Sequence, residues 1–148
     1  MVSELNDKAL NDLVTDVIAE VRAEYDGSNN DLHGFRDLRV WQVGMDLVAK
    51  CYEVSSAFPV HEQYGLTSQI RRASVSIVLN IAEGWGRNGK AEFTRFADMA
   101  FGSLTETDAC FDVAVRLGYL PESNLTDARE LASRLSRMLH KFRTALRS

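Results

Sequence analysis

The stretch Gly65–Arg87, GLTSQIRRASVSIVLNIAEGWGR, decides the fold of this chain. Leu66, Ile70, Ala73, Ile77 and Ile81 follow one another at three- and four-residue steps and form one apolar stripe of a helix. Val75, Val78, Leu79 and Ala82 point elsewhere, so the middle of this helix is apolar nearly all round and reads as buried. No apolar run in the 148 residues reaches membrane length. The second covering surface is therefore expected from another copy of the chain or a partner, with Val75, Val78, Leu79 and Trp85 as the oligomer interface.

Working outward, the pattern is helical on both sides. Leu38, Trp41, Met45, Val48, Tyr52 and Ser55 predict a helix over about Leu38–Phe58, stopped by Pro59. Phe93, Phe96, Ala97, Ala100, Phe101, Leu104, Phe111, Ala114 and Leu117 predict another over about Lys90–Leu117, with Gly118 just past its end. Pro121 suits the first turn of a last helix whose stripe runs Leu125, Ala128, Leu131, Ala132, Leu135, Met138, Leu139, Phe142 and Leu146. Short connections between four long amphipathic helices predict an all-α fold, an antiparallel up-and-down four-helix bundle. An additional N-terminal amphipathic helix is expected at about Glu4–Tyr25, on Leu5, Leu10, Leu13, Val14, Val17, Ile18 and Val21. Asp26–Asn30 breaks it, which divides the chain into an acidic helix and linker, 1–34, and a bundle domain, 35–148.

Composition supports this reading. The hydrophobic content of 45% is enough for a sizeable core, and with only 2 prolines long helices are favoured over sheet. Cys51 and Cys110 lie in apolar helical contexts without CxxC spacing, as expected of reduced buried thiols in a cytoplasmic protein; the N-terminus carries no secretory signal pattern. The net charge of -4 hides an asymmetry. Residues 1–34 hold Glu4, Asp7, Asp12, Asp16, Glu20, Glu24, Asp26 and Asp31 against Lys8 and Arg22, a net of -6, whereas the remaining 15 basic and 13 acidic groups leave the rest of the chain at +2.

FRDLRVWQ (Phe35–Gln42), GLTSQIRRASVSI (Gly65–Ile77), NIAEGWGR (Asn80–Arg87), EFTRFADMAFGSLTE (Glu92–Glu106) and LGYL (Leu117–Leu120) resemble, in that order, the bacterial four-helix proteins known as 23S rRNA intervening-sequence proteins. The resemblance covers about Phe35–Arg147. With its relatives, the accessory proteins of diversity-generating retroelements, it implies a homopentamer and binding to nucleic acid and to a reverse transcriptase. Two departures stand out. Val78-Leu79 replaces a proline and a small residue that usually precede the Asn, and the acidic helix before Phe35 lies outside the usual pattern.

No residue set points to catalysis, a metal or a cofactor. His33, His61 and His140 lack metal-ligand spacing, Glu92, Asp98, Glu106 and Asp108 lack the ExxH of a di-metal bundle, and Ser74 and Ser76 have no base nearby in sequence. Gly84-Trp85-Gly86-Arg87 closes a helix, whereas a phosphate cradle opens one. Arg71, Arg72, Asn80 and Glu83 are read as a structural polar network that fixes register between helices or protomers.

The remaining chemistry is cationic. Arg129, Arg134, Arg137, Lys141, Arg143 and Arg147 are opposed in their own span only by Glu130, and the steps from Arg134 to Arg137 to Lys141 place these three on one stripe. With Arg87, Lys90 and Arg95 they form the expected nucleic-acid-binding set, a reading strengthened by the resemblance. Two functions remain open: a non-enzymatic homo-oligomeric accessory or scaffold protein that binds structured RNA or DNA or a nucleic-acid enzyme such as a reverse transcriptase, or a protein–protein interaction module without nucleic acid. The acidic helix is expected to mask the Arg-rich last helix or to dock an outside partner.

Overall fold

In a computed structural model of the protein, residues 33–147 are described, and the helix expected at about Glu4–Tyr25 lies outside them. Four long helices and three 3-10 turns account for the regular structure, with no strand among the described residues. Helix α1, Arg39–Ser55, starts after extended Leu38 and buries Val40, Val43, Leu47, Cys51 and Val54. It ends three residues earlier than the sequence suggests, because Ser56–Phe58 form turns ahead of Pro59. Helix α2, Leu66–Trp85, buries Ile70, Ala73, Ile77, Val78 and Ile81.

Helix α3, Lys90–Arg116, follows Gly89, whose φ of 91° favours glycine. It closes at Gly118, φ 75°, whose N–H donates to the Val115 carbonyl while Tyr119 N–H donates to that of Ala114. That pair of bonds is a Schellman cap and satisfies carbonyls the helix end would leave orphaned. Helix α4, Thr126–Arg147, begins later than expected. Pro121 precedes a 3-10 turn at Glu122–Leu125 that buries Leu125 before the helix sets in.

Each helix packs on the next, and α4 closes against α1. Helices α2 and α3 run in opposed directions: Gln69 of α2 reaches Glu106 of α3, while Ser76, seven residues further along α2, meets the earlier Ser103. The shared core is filled by Phe93, Phe111, Phe142, Leu47, Ile77, Leu135 and Met138, with Phe93 edge-on to Phe142 at 5.3 Å between ring centroids. Apolar faces in contact on all sides supply the main stabilisation of such a helical bundle.

Helix α2 is not buried all round. Arg72, Leu79 and Glu83 are exposed, and Val75, Ser76, Asn80 and Trp85 are half-buried. Val78, expected at an interface, is only 5% exposed within the protomer, because glycine at position 44 of α1 leaves room for its methyl group. Leu79, also expected at an interface, is 62% exposed.

Candidate functional site

The cations of α4 divide into a neutralised and an unneutralised set. Arg129 bonds Asp112 at 2.8 Å and Asp108 at 3.3 Å, both on α3, and also holds Glu122. Its hydrogen bond with Glu122, reinforced by Asp112, holds the guanidinium pKa above its ordinary value. Arg143 Nε donates to Asp98 at 2.8 Å, Arg147 Nη2 donates to the same carboxylate at 2.7 Å, and the Arg143 guanidinium lies 4.1 Å from the Phe101 ring centroid. α3 thus supplies the acids that the α4 sequence lacks. Asp98 and Asp112 stand 14 residues apart on α3, as do Arg129 and Arg143 on α4, so antiparallel packing brings the two pairs into register.

Arg134, Arg137 and Lys141 have no ion pair among the described residues. Arg137 donates to Ser133 Oγ at 2.7 Å, and both Arg137 and Lys141 are exposed. Arg134 is half-buried, and its Nε is buried with no hydrogen-bond partner. The stripe survives folding, with its first member partly withdrawn.

At the junction between α2 and α3, Arg87 and Arg95 both lie over Phe96, at 5.1 and 4.5 Å from the ring centroid. Each also binds a carboxylate close by in sequence: Arg87 to Glu83 at 2.6 Å, Arg95 to Glu92 at 3.2 Å. The hydrogen bond from Arg95 holds the Glu92 carboxyl below the ordinary range. Lys90 has no ion pair among the described residues, and its carbonyl accepts from Thr94 Oγ1 at 2.8 Å. Arg95 lies one turn from Asp98, which holds Arg143 and Arg147, so the junction adjoins the C-terminal end of α4.

The four polar residues of α2 do not form one network. Arg71 Nε donates to Ser55 Oγ at 2.9 Å and its guanidinium lies 4.7 Å from the Tyr52 ring centroid, tying α2 to α1. Asn80 Nδ2 donates to the Ser76 carbonyl and hydroxyl, and Ser76 Oγ meets Ser103 Oγ at 2.9 Å, tying α2 to α3. Glu83 pairs with Arg87, just past the end of the helix, and Arg72 is exposed without an ion pair among the described residues.

Other reactive groups are engaged elsewhere. Cys51 and Cys110 are free and buried; burial pushes the Cys51 thiol up to about 12 and raises that of Cys110. Ser74, fully buried, donates to the Arg71 carbonyl at 3.1 Å. His61 packs edge-on to Tyr119, whose hydroxyl donates to Glu62 at 3.0 Å. Glu92, Asp98, Glu106 and Asp108 contact Arg95, Arg143 with Arg147, Gln69 and Arg129 respectively, and among the described residues no three His, Cys, Asp or Glu side chains converge on a metal position. An open cleft of ≈ 390 Å³ between α3 and α4 is lined by Asp112, Val115, Arg116, Glu122 and Arg129, and its two acids are already bound to Arg129. No helix among the described residues is long and apolar enough to cross a membrane.

The α4 sequence alone does not show which acids of α3 meet its cations. Their equal spacing along α3 and α4 was present in the sequence but takes meaning only once the two helices are known to be neighbours. Comparison with curated proteins finds no match. The profile of a family described as the 23S rRNA-intervening sequence protein matches residues 36–141, which takes in all of α1, α2 and α3 and most of α4. The chain belongs to the 23S rRNA-intervening sequence protein family.

Proposed function

We propose that this is a non-enzymatic accessory or scaffold protein of the bacterial cytoplasm that binds structured RNA or DNA, or a nucleic-acid enzyme such as a reverse transcriptase, through a basic face of a homo-oligomer. Each protomer is read as an antiparallel up-and-down four-helix bundle with one further N-terminal helix, and the resemblance of its motifs favours a pentamer. The observation that carries the reading is the stripe of Arg134, Arg137 and Lys141, which retains its charge while Arg129, Arg143 and Arg147 are bound to acids of α3. Three phosphate contacts per protomer are weak alone, and repetition around an oligomer multiplies them. Leu79 and Met99, exposed on adjacent helices α2 and α3, offer an apolar surface for self-association.

The test is salt-dependent retention of RNA and DNA by the whole protein and by the Arg134→Glu/Arg137→Glu/Lys141→Glu variant. Retention that falls steeply with salt and vanishes in the variant, at unchanged helicity and oligomer mass, supports the reading. Retention that survives the reversal rejects this surface.

A second reading is favoured by the neutralisation of half the α4 cations. Here the protein is an interaction module with no nucleic-acid role. Absence of retention at low salt, with a protein partner captured by the oligomer, would establish it over the first.

A further inference from the structure

On the outer side of α1, towards α2, lies an apolar face. Trp41, Met45, Val48 and Tyr52 fall at i, i+4, i+7 and i+11 of α1, one stripe of the helix, and Val75 of α2 borders it. Met45 is 40% and Tyr52 42% exposed, while Trp41, Val48 and Val75 are half-buried. Beneath this face Val78 packs against Gly44. At one end Phe35 packs on Trp41 at 5.3 Å, immediately after the chain joins the described residues. At the other end stand Arg71, over Tyr52, and exposed Arg72. Of the neighbouring acids, Glu53 binds Lys50, Glu62 accepts from the Tyr119 hydroxyl, Glu83 binds Arg87, and Asp46 is exposed beside Met45.

We propose that this face is the docking site of residues 10–21 of the same chain, running antiparallel to α1. Three observations select this occupant. Leu10, Leu13, Val14, Val17 and Val21 form an apolar stripe whose ends are eleven residues apart, the same separation as Trp41 and Tyr52, about 17 Å along a helix. Residues 22–34 connect it to the Trp41 end; the Asp26–Gly34 part alone extends to about 30 Å, enough to reverse direction. Running that way, the segment carries Glu4 and Asp7 to the Arg71 and Arg72 end, and its net charge of -6 over residues 1–34 meets a domain of net +2.

The Arg-rich face of α4 is the weaker seat. It offers charge, but none of the exposed large hydrophobic side chains belongs to α4, so the apolar stripe of the segment would stay in water there. Docking on α1 and α2 leaves Arg134, Arg137 and Lys141 open, and it does not depend on whether they bind nucleic acid.

The test uses the full chain with Trp85→Phe, which leaves Trp41 as the single tryptophan, with and without Leu13→Asp/Val17→Asp. Acrylamide quenching of Trp41 is expected to rise about two-fold in the doubly substituted chain, as for a ring released from cover into water, at unchanged oligomer mass. In the unsubstituted chain the amides of residues 10–21 are expected to exchange at least roughly ten-fold more slowly than an open coil, a readout that does not depend on the tryptophan substitution. Quenching indifferent to Leu13→Asp/Val17→Asp, or coil-like exchange of residues 10–21, overturns the proposal. Protection of Trp41 that is lost on dilution yet indifferent to the segment assigns the face to a second copy, and likewise overturns it.

Discussion

The Cγ1 methyl of Val78 occupies the space that a Cβ on Gly44 would need, 2.8 Å from where that carbon would sit. A valine methyl on a helix has little rotamer freedom, so the contact sets how closely α1 and α2 approach. Gly44→Ala gains up to about 1 kcal/mol of helix propensity, and overpacking costs typically about 1–3 kcal/mol. A net loss of stability, read as a lower denaturant midpoint at unchanged slope, is expected.

Because Val78 belongs to the protomer core, Val78→Asp is expected to unfold the chain rather than separate subunits, through several kcal/mol of charge desolvation. Leu79→Asp discriminates. At 62% exposure it is expected to shift stability by less than about 0.5 kcal/mol within the protomer, while lowering the mass seen by light scattering if self-association uses this face.

Gly84 is a second close approach. A Cβ there would lie 2.6 Å from Phe93 Cδ2 and 3.0 Å from Phe96 Cβ, both on α3. Phe93 is held edge-on to Phe142 and is 1% exposed, so it has nowhere to move. Gly84→Ala is expected to lower the melting temperature more than Gly102→Ala, where nothing lies within 4 Å of the added carbon. Equal melting temperatures for the two would refute the packing argument.

Asp98 binds both Arg143 and Arg147, and all three side chains remain partly exposed. Asp98→Asn is therefore expected to cost about 1 kcal/mol or less. It also removes one negative charge beside two cations at the C-terminal end of α4. If that end contributes to phosphate binding, retention of RNA or DNA should tighten at low salt, with a steeper salt dependence.

The raised pKa of Cys51 makes stability sensitive to alkali. The folded thiol ionises near 12 and the unfolded one near its ordinary 9, so the unfolded state loses its proton first. The contribution is fully present below pH 9 and is lost as pH rises from there towards 12, by roughly 1.4 kcal/mol at pH 10. Urea midpoints should fall over that window in the parent protein and fall less in Cys51→Ala.

The helices were legible because each carries its own periodic stripe and its own stops. Ile70, Ile77 and Ile81 lie on the buried face of α2 as their spacing requires, and Gly118 ends α3 where the pattern stops. These features depend on residues within a turn or two of one another, and the sequence contains that information directly. What an outward-pointing side chain meets depends on residues far away in the chain. Nothing near Val78 in sequence shows that Gly44 makes room for it. The cations of α4 looked alike, and α3 alone decided that Arg129, Arg143 and Arg147 are neutralised while Arg134, Arg137 and Lys141 are not. Helical period is a local property of the chain; burial and charge pairing are properties of neighbours, and only the packing of the four helices chose which residues those neighbours are.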